Sequence, residues 1–171
     1  MPLLAITVLG HDRPGIIAET TGVLAGLGLN IEDSTMTLLR GHFAMTLITD
    51  GSASPGEVEE GLGGLTADGS LSVSVRAVPA ETPVSRGSSY LLSVHGGDRP
   101  GIVSNVVAEV AAVGGNITDL TTRLAGELYV LIAEVDLPAS VSADELSASL
   151  SAAATALGVD VSLRALDSDD L

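Results

Sequence analysis

The segment Gly10-His11-Asp12-Arg13-Pro14-Gly15-Ile16 returns as Gly96-Gly97-Asp98-Arg99-Pro100-Gly101-Ile102, with Asp12 and Asp98 lying 86 residues apart in a chain of 171. The register holds downstream, where Gly28, Asn30, Ile31 and Asp33 are answered by Gly114, Asn116, Ile117 and Asp119. Agreement in residue type and spacing over such a length marks a tandem duplication, so each half is expected to hold a folding unit of its own. Units this small have thin cores, burying only about 60% of the surface their unfolded chains expose. Packing of unit against unit is therefore expected to matter.

Each half reads as strand, helix, strand, strand, helix, strand. In the first, the apolar run from Leu3 to Leu9 is short enough for a strand and stops at Gly10. Pro14 suits the first position of a helix, where its missing N–H costs nothing. Ile16, Thr20, Val23, Leu24 and Leu27 then fall on one face at the helical period, with Gly28 as the stop. Extended segments at Asn30 to Leu39 and His42 to Ile48 flank a tight turn at Arg40-Gly41. Ser54-Pro55-Gly56-Glu57 predicts a capped second helix whose apolar stripe is Val58, Leu62 and Leu65. In the last strand Leu71, Val73 and Val75 alternate with Ser72, Ser74 and Arg76.

The second half repeats the order. A strand around Tyr90 to Val94 leads to a helix from Pro100 that carries Ile102, Val106, Val110 and Val113. A hairpin turn is expected at Ala125-Gly126, a second capping box at Ser142-Ala143-Asp144-Glu145, a stripe of Leu146, Leu150 and Leu157, and a final strand with Val159, Val161 and Leu163 inward. The stretch from Pro79 to Ser88, with two prolines and little apolar content, reads as the linker. The expected division is a first unit over 1–79, a linker over 80–87 and a second unit over 88–171. Right-handed crossovers favour, for each βαββαβ unit, a four-stranded antiparallel sheet with both helices on one face, an α+β architecture of the ferredoxin-like kind.

Composition removes whole classes of chemistry. There is no cysteine, so neither disulfides nor thiolate metal sites can form. All seven basic residues are arginine, at positions 13, 40, 76, 86, 99, 123 and 164. Without lysine there is no Schiff base to pyridoxal phosphate, no Ser-x-x-Lys pair and no phosphate-binding P-loop lysine. His11, His42 and His95 are not helically spaced, and the repeat sets Gly97 opposite His11, which argues against a zinc site. No cofactor is expected. A formal net charge of −15 repels phosphate backbones and anionic lipid, so any role in gene regulation would run through another protein and not through direct nucleic-acid or membrane contact. No apolar run approaches the roughly 20 residues that span a bilayer, and Asp12 and Arg13 interrupt the first one early. A cytoplasmic location is the expectation.

The phrase Gly-x-Asp-Arg-Pro-Gly-Ile closing a first strand, with Asn-Ile opening the second, resembles the ACT family of ferredoxin-like amino-acid sensors. Two such units in tandem over residues 3 to 166 are most similar to the glycine cleavage system transcriptional repressor group. The wording of the motif also resembles the ACT segment of formyltetrahydrofolate deformylases. The resemblance implies a small amino acid, glycine or serine by preference, bound where two ACT units meet. It would be contacted by the loop after the first strand (Gly10, His11, Asp12, Arg13, Pro14, Gly15 and Ile16, or Gly97, Asp98, Arg99, Pro100, Gly101 and Ile102) and by Asn30 and Ile31 or Asn116 and Ile117 of a neighbouring unit. It further implies a homodimer and a regulated partner protein. Whether the meeting units belong to one chain or to two is open.

The chemistry of these residues suits such a ligand. A helix start offers unpaired N–H groups and partial positive charge to a carboxylate, while Asp12 or Asp98 can accept from an ammonium group and an Asn amide both donates and accepts. Serine-binding members of the family have Asn where this chain has Asp12 and Asp98; Arg13 and Arg99, next in sequence, are placed to offset that charge. The same residues also have structural uses: Pro14, Gly15, Pro100 and Gly101 in starting a helix, the Asp residues in complementing its dipole, Asn30 and Asn116 in a left-handed turn, the Arg residues in solvent. Two other classes remain, a ligand-independent oligomerisation and interaction module and, more weakly supported, an enzyme working through a carboxylate and water.

Overall fold

The computed structural model describes residues 3–82 and 87–166, so part of the expected linker and the acidic tail at 167–170 lie outside the described residues. The chain divides into two compact units, Met1–Pro83 and Val84–Leu171. The first contains β1 (Leu3–His11), α1 (Ile16–Gly26), β2 (Asn30–Leu39), β3 (His42–Asp50), α2 (Pro55–Gly61), the single turn α3 (Gly63–Thr66) and β4 (Leu71–Val78). The second contains β5 (Ser88–Gly97), α4 (Ile102–Ala112), β6 (Asn116–Ala125), β7 (Leu128–Leu137), α5 (Ala143–Leu157) and β8 (Val159–Ala165). The sheets have the orders β2-β3-β1-β4 and β6-β7-β5-β8, antiparallel throughout. This is the expected ferredoxin-like pair.

Strand alternation decides which face is covered. Leu4, Ile6 and Val8 of β1 and Phe43, Met45 and Leu47 of β3 are buried, together with Ile16 and Leu24 of α1 and Val58, Leu62 and Leu65 of the second helical layer. Removing each such side chain from water contributes about 1.5–3 kcal/mol. The second unit builds the same layer from Leu92, Val94, Leu131, Ala133, Val135, Ile102, Val106, Val110, Leu146 and Leu150. The helical stripes and the alternating last strand were expected; the register adds a bulge in the edge strands β2 and β6, between Ile31 and Asp33 and between Ile117 and Asp119.

Four local expectations are corrected. The first helix of each unit begins at Ile16 or Ile102, not at the proline, because Gly15 and Gly101 hold φ of 90° and 92° and act as N-caps. A left-handed residue cannot continue a helix, so the prolines belong to the turn before it. The second layer of unit 1 breaks in two at Leu62, among Gly61, Gly63 and Gly64, where glycine's poor helix propensity outweighs the apolar stripe. Gly61 earns its place by contact: a Cβ there would lie 2.9 Å from Val23 Cγ1 on α1. The hairpin turn of unit 2 is Gly126-Glu127, one residue later than expected, since Ala125 still pairs with Leu128. Only Gly126 has positive φ there, at 64°, whereas Arg40 and Gly41 in unit 1 both do, at 50° and 82°. Finally, Ser54 and Glu57 close a reciprocal capping box, but Ser142 accepts only from the Asp144 N–H, at 3.2 Å, and Glu145 does not reach back.

Candidate functional site

The repeated phrase forms in each unit a loop held by backbone hydrogen bonds. In unit 1 the His11 N–H donates to the Ser70 carbonyl at 2.9 Å and the Asp12 N–H to the Gly41 carbonyl at 3.3 Å. In unit 2 the Asp98 N–H donates to the Glu127 carbonyl at 3.2 Å. Each loop is thus latched to the tip of its own hairpin. From there the chain turns through Gly15 or Gly101, whose carbonyl accepts the first helical bond, from Glu19 N–H at 2.9 Å or Asn105 N–H at 3.0 Å.

No side chain caps α1 or α4. The N–H groups of Ile16, Ile17 and Ala18, and of Ile102, Val103 and Ser104, lie in the first turn, where an α-helix provides no internal partner. Their positive end faces a depression in each unit. The one in unit 1, about 460 Å³, is lined by Asp12, Arg13, Gly15, Ile17, Met36 and Phe43 among others. The one in unit 2, about 310 Å³, is lined by Asp98, Arg99, Gly101, Val103, Ser104 and Tyr129 among others. A carboxylate next to an uncapped helix end, an arginine and an apolar floor can take a small zwitterion by its two charged ends.

Arg13 lies against Glu19 of α1, with Nη1 to Oε1 at 2.9 Å and Nη2 to Oε2 at 3.0 Å. That hydrogen-bonded pair pulls the Glu19 carboxyl below its ordinary range and raises the Arg13 guanidinium above its own. Gly10 is fixed by packing, since a Cβ there would overlap the Ser70 carbonyl. His11 stands beside His42 across the β1–β3 ladder, a neighbour that linear spacing conceals. Gly97 ends β5, Pro14 and Pro100 are exposed in the turn, and Ile16 and Ile102 are buried in the two cores.

Asn30 and Asn116 are elsewhere. Asn30 pairs with Asp50, while the loop follows His11, which pairs with His42. Eight residues of β3 separate those rungs, roughly 27 Å of strand. Asn116 likewise pairs with Asp136, at the opposite end of β7 from the Leu128 rung beside Gly97. Ile31 and Ile117, half-buried against the cores, share the Asn end. The structure brings the loop residues together in each unit and leaves each unit's own Asn far from them.

Sequence reading missed Glu19, Met36, Phe43, Ser104 and Tyr129. Phe43 and Tyr129 were readable only once the hairpin register was known, because the residue opposite Gly10 or Gly96 is the one that floors the depression. Glu19 carried a weaker signal, a charge in the first helical turn where the second repeat has Asn105.

A tandem pair of ferredoxin-like units, each with a glycine-turned loop feeding an uncapped helix, defines the class of protein. The ACT domain family model matches residues 2–76 and 89–164, and the chain belongs to that family. It is 27% identical to the glycine cleavage system transcriptional repressor of Escherichia coli over 96% of this chain and 90% of the relative. A UPF0237 protein of Methanopyrus kandleri is 48% identical over 50 residues, 29% of this chain, and that match spans only 56% of the relative. Among solved structures, a protein of Galdieria sulphuraria superposes with a TM-score of 0.81 at 29% identity, covering 97% of this chain and 99% of that one. Among the described residues no helix is long and apolar enough to cross a membrane.

Proposed function

We propose that this chain is a non-enzymatic regulatory sensor that binds a small amino acid, glycine or serine by preference, and passes its occupancy to a partner protein that controls amino-acid metabolism. The observation that carries the reading is the repeated depression at an uncapped helix start, furnished both times with an Asp-Arg pair. The name of the Escherichia coli relative supports a link to gene control, and the net charge of −15 favours acting through a protein and not on nucleic acid.

Because the loop and the Asn of a unit lie at opposite ends of its sheet, a ligand that uses both must take the Asn from another ACT unit, of the same chain or of a second copy in a homodimer, so the meeting of two units is part of binding. The amino acid then works by population shift: it favours the associated arrangement in which loop and Asn meet, and disfavours the others. Replacing Asn30 and Asn116 together with Ala is expected to weaken glycine and serine binding by about tenfold or more, the worth of lost hydrogen bonds to charged groups. Both positions are exposed, so the fold is expected to persist. Calorimetric titration checks it, and unchanged affinity would remove the Asn residues from the site.

A second reading, a constitutive association module without a ligand, is favoured by the edge strands. Met36 and Leu38 on β2 are 41% and 47% exposed, and Leu120 and Leu124 on β6 are 39% and 38% exposed. It predicts association that no amino acid alters.

A further inference from the structure

The register of unit 1 pairs two of the chain's three histidines. His11, the last residue of β1, lies directly opposite His42, the first residue of β3. The His11 N–H turns away from β3 to the Ser70 carbonyl, and the link to the β3 side is made one step further on, from the Asp12 N–H to the Gly41 carbonyl. The His11–His42 rung is therefore of the non-hydrogen-bonded kind, the closer of the two in an antiparallel pair, with Cα atoms roughly 4.5 Å apart. Both side chains also take the same face. Val8 and Phe43 belong to the buried core, so by strand alternation His11 and His42 project from the other face of the sheet, where both are exposed.

Two imidazoles placed in this way suit a single metal ion. Imidazole nitrogen is a good ligand for zinc, nickel and copper, at about 2.0–2.1 Å for zinc. Cβ atoms about 4.5–5.5 Å apart let both rings turn a nitrogen toward a common point. The backbone beneath them is already fixed, by the ladder and by the bonds at Ser70 and Gly41, so binding has only the two side chains to order. The net charge of −15 draws cations to the surface. Among the described residues no group of three or more His, Asp or Glu could hold an ion. A site on His11 and His42 is accordingly open, with water in the remaining positions, and is not a closed structural zinc centre. Magnesium and calcium, which seek oxygen, gain nothing from it. Unit 2 has no counterpart, since its equivalent rung is Gly97–Leu128. There His95 stands opposite Asp160 on β8, with Nδ1 3.6 Å from Oδ2, and supplies one imidazole only.

We infer that His11 and His42 form a surface site for one divalent late transition metal ion per chain, zinc, nickel or copper, which clips β1 to β3 at the foot of the loop after β1. The pair was hidden from linear spacing, and only the strand register assembles it. The depression of unit 1 lies on the core side of the sheet, where Phe43 floors it, so the metal site stands or falls independently of the amino-acid reading.

Calorimetric titration of the full chain, free of any histidine tag, with zinc, nickel and copper(II) chlorides tests this. The wild type is expected to bind one ion per chain, and excess magnesium should not compete. His11→Gln and His42→Gln should each lower the affinity by about 100-fold, the gain that comes from making the second ligand intramolecular, while His95→Gln leaves it unchanged. All three positions are exposed, and circular dichroism confirms that each variant folds. A second readout needs no substitution at the site. The three histidines give three Hε1 signals by NMR, and substoichiometric copper(II) should broaden two of them and spare the one that His95→Gln removes. No saturable binding below millimolar metal, an affinity that survives either His11→Gln or His42→Gln, or equal broadening of all three signals would overturn the site.

Discussion

Gly10→Ala is expected to cost unit 1 about 3 kcal/mol, the sum of a left-handed backbone forced on an L-residue and a backbone clash. Gly10 holds φ of 153°, and a Cβ there would overlap the Ser70 carbonyl oxygen, with Leu71 Cα at 2.9 Å. That carbonyl cannot simply move away, because it accepts the His11 N–H that anchors the loop after β1. The equivalent Gly96→Ala is the internal control. Its Cβ would meet Val159, with Cγ1 at 2.8 Å and Cα at 3.0 Å, but it overlaps no carbonyl and there is no positive φ to penalise, so a smaller loss of about 1.5 kcal/mol is expected. Urea unfolding followed by circular dichroism measures both. Equal losses would contradict the assignment of Gly10 to close backbone approach.

Phe43→Ala is expected to cost more, about 4 kcal/mol, as for large aromatic truncations in closed cores. Phe43 is 2% exposed and lies on the β1–β3 ladder opposite Gly10, which has no side chain to move into the space it vacates. It also floors the unit 1 depression. The same unfolding measurement reads the loss, and a change under about 1 kcal/mol would mean that the floor collapses and that Phe43 is not needed to shape it. Gly10 and Phe43 are neighbours, so the two losses are not expected to add in the double variant.

The sequence carried most of the architecture because duplication wrote it twice. Strand alternation from Leu71 to Val75 and helical spacing from Ile16 to Leu27 each point to one face, and the structure buries Leu71, Val75, Ile16, Thr20 and Leu24 and half-buries Val73, Val23 and Leu27. What stayed hidden depended on contacts between elements. The role of Gly61 shows only in its approach to Val23 on α1. Pro14 looked like a helix start because φ of the following glycine is not written in its identity. At the site, the Asp-Arg-Pro-Gly phrase was visible at once, but the distance from Asp12 to Asn30 was not, since it depends on which end of β3 each meets. The fork between Glu19 and Arg13 likewise depends on how the loop folds back on α1.

The central claim, that this chain senses a small amino acid, is tested most directly by thermal unfolding with and without millimolar glycine, serine and the other common amino acids. Circular dichroism is the natural signal, as the chain has no tryptophan. A ligand at about 100 times its dissociation constant adds about 2.7 kcal/mol to the state that binds it, a rise of a few degrees for a chain of this size. The account predicts such a rise for glycine or L-serine and none for D-serine or large side chains. An unfolding temperature indifferent to every amino acid would contradict it and leave the ligand-free association module as the reading of the fold.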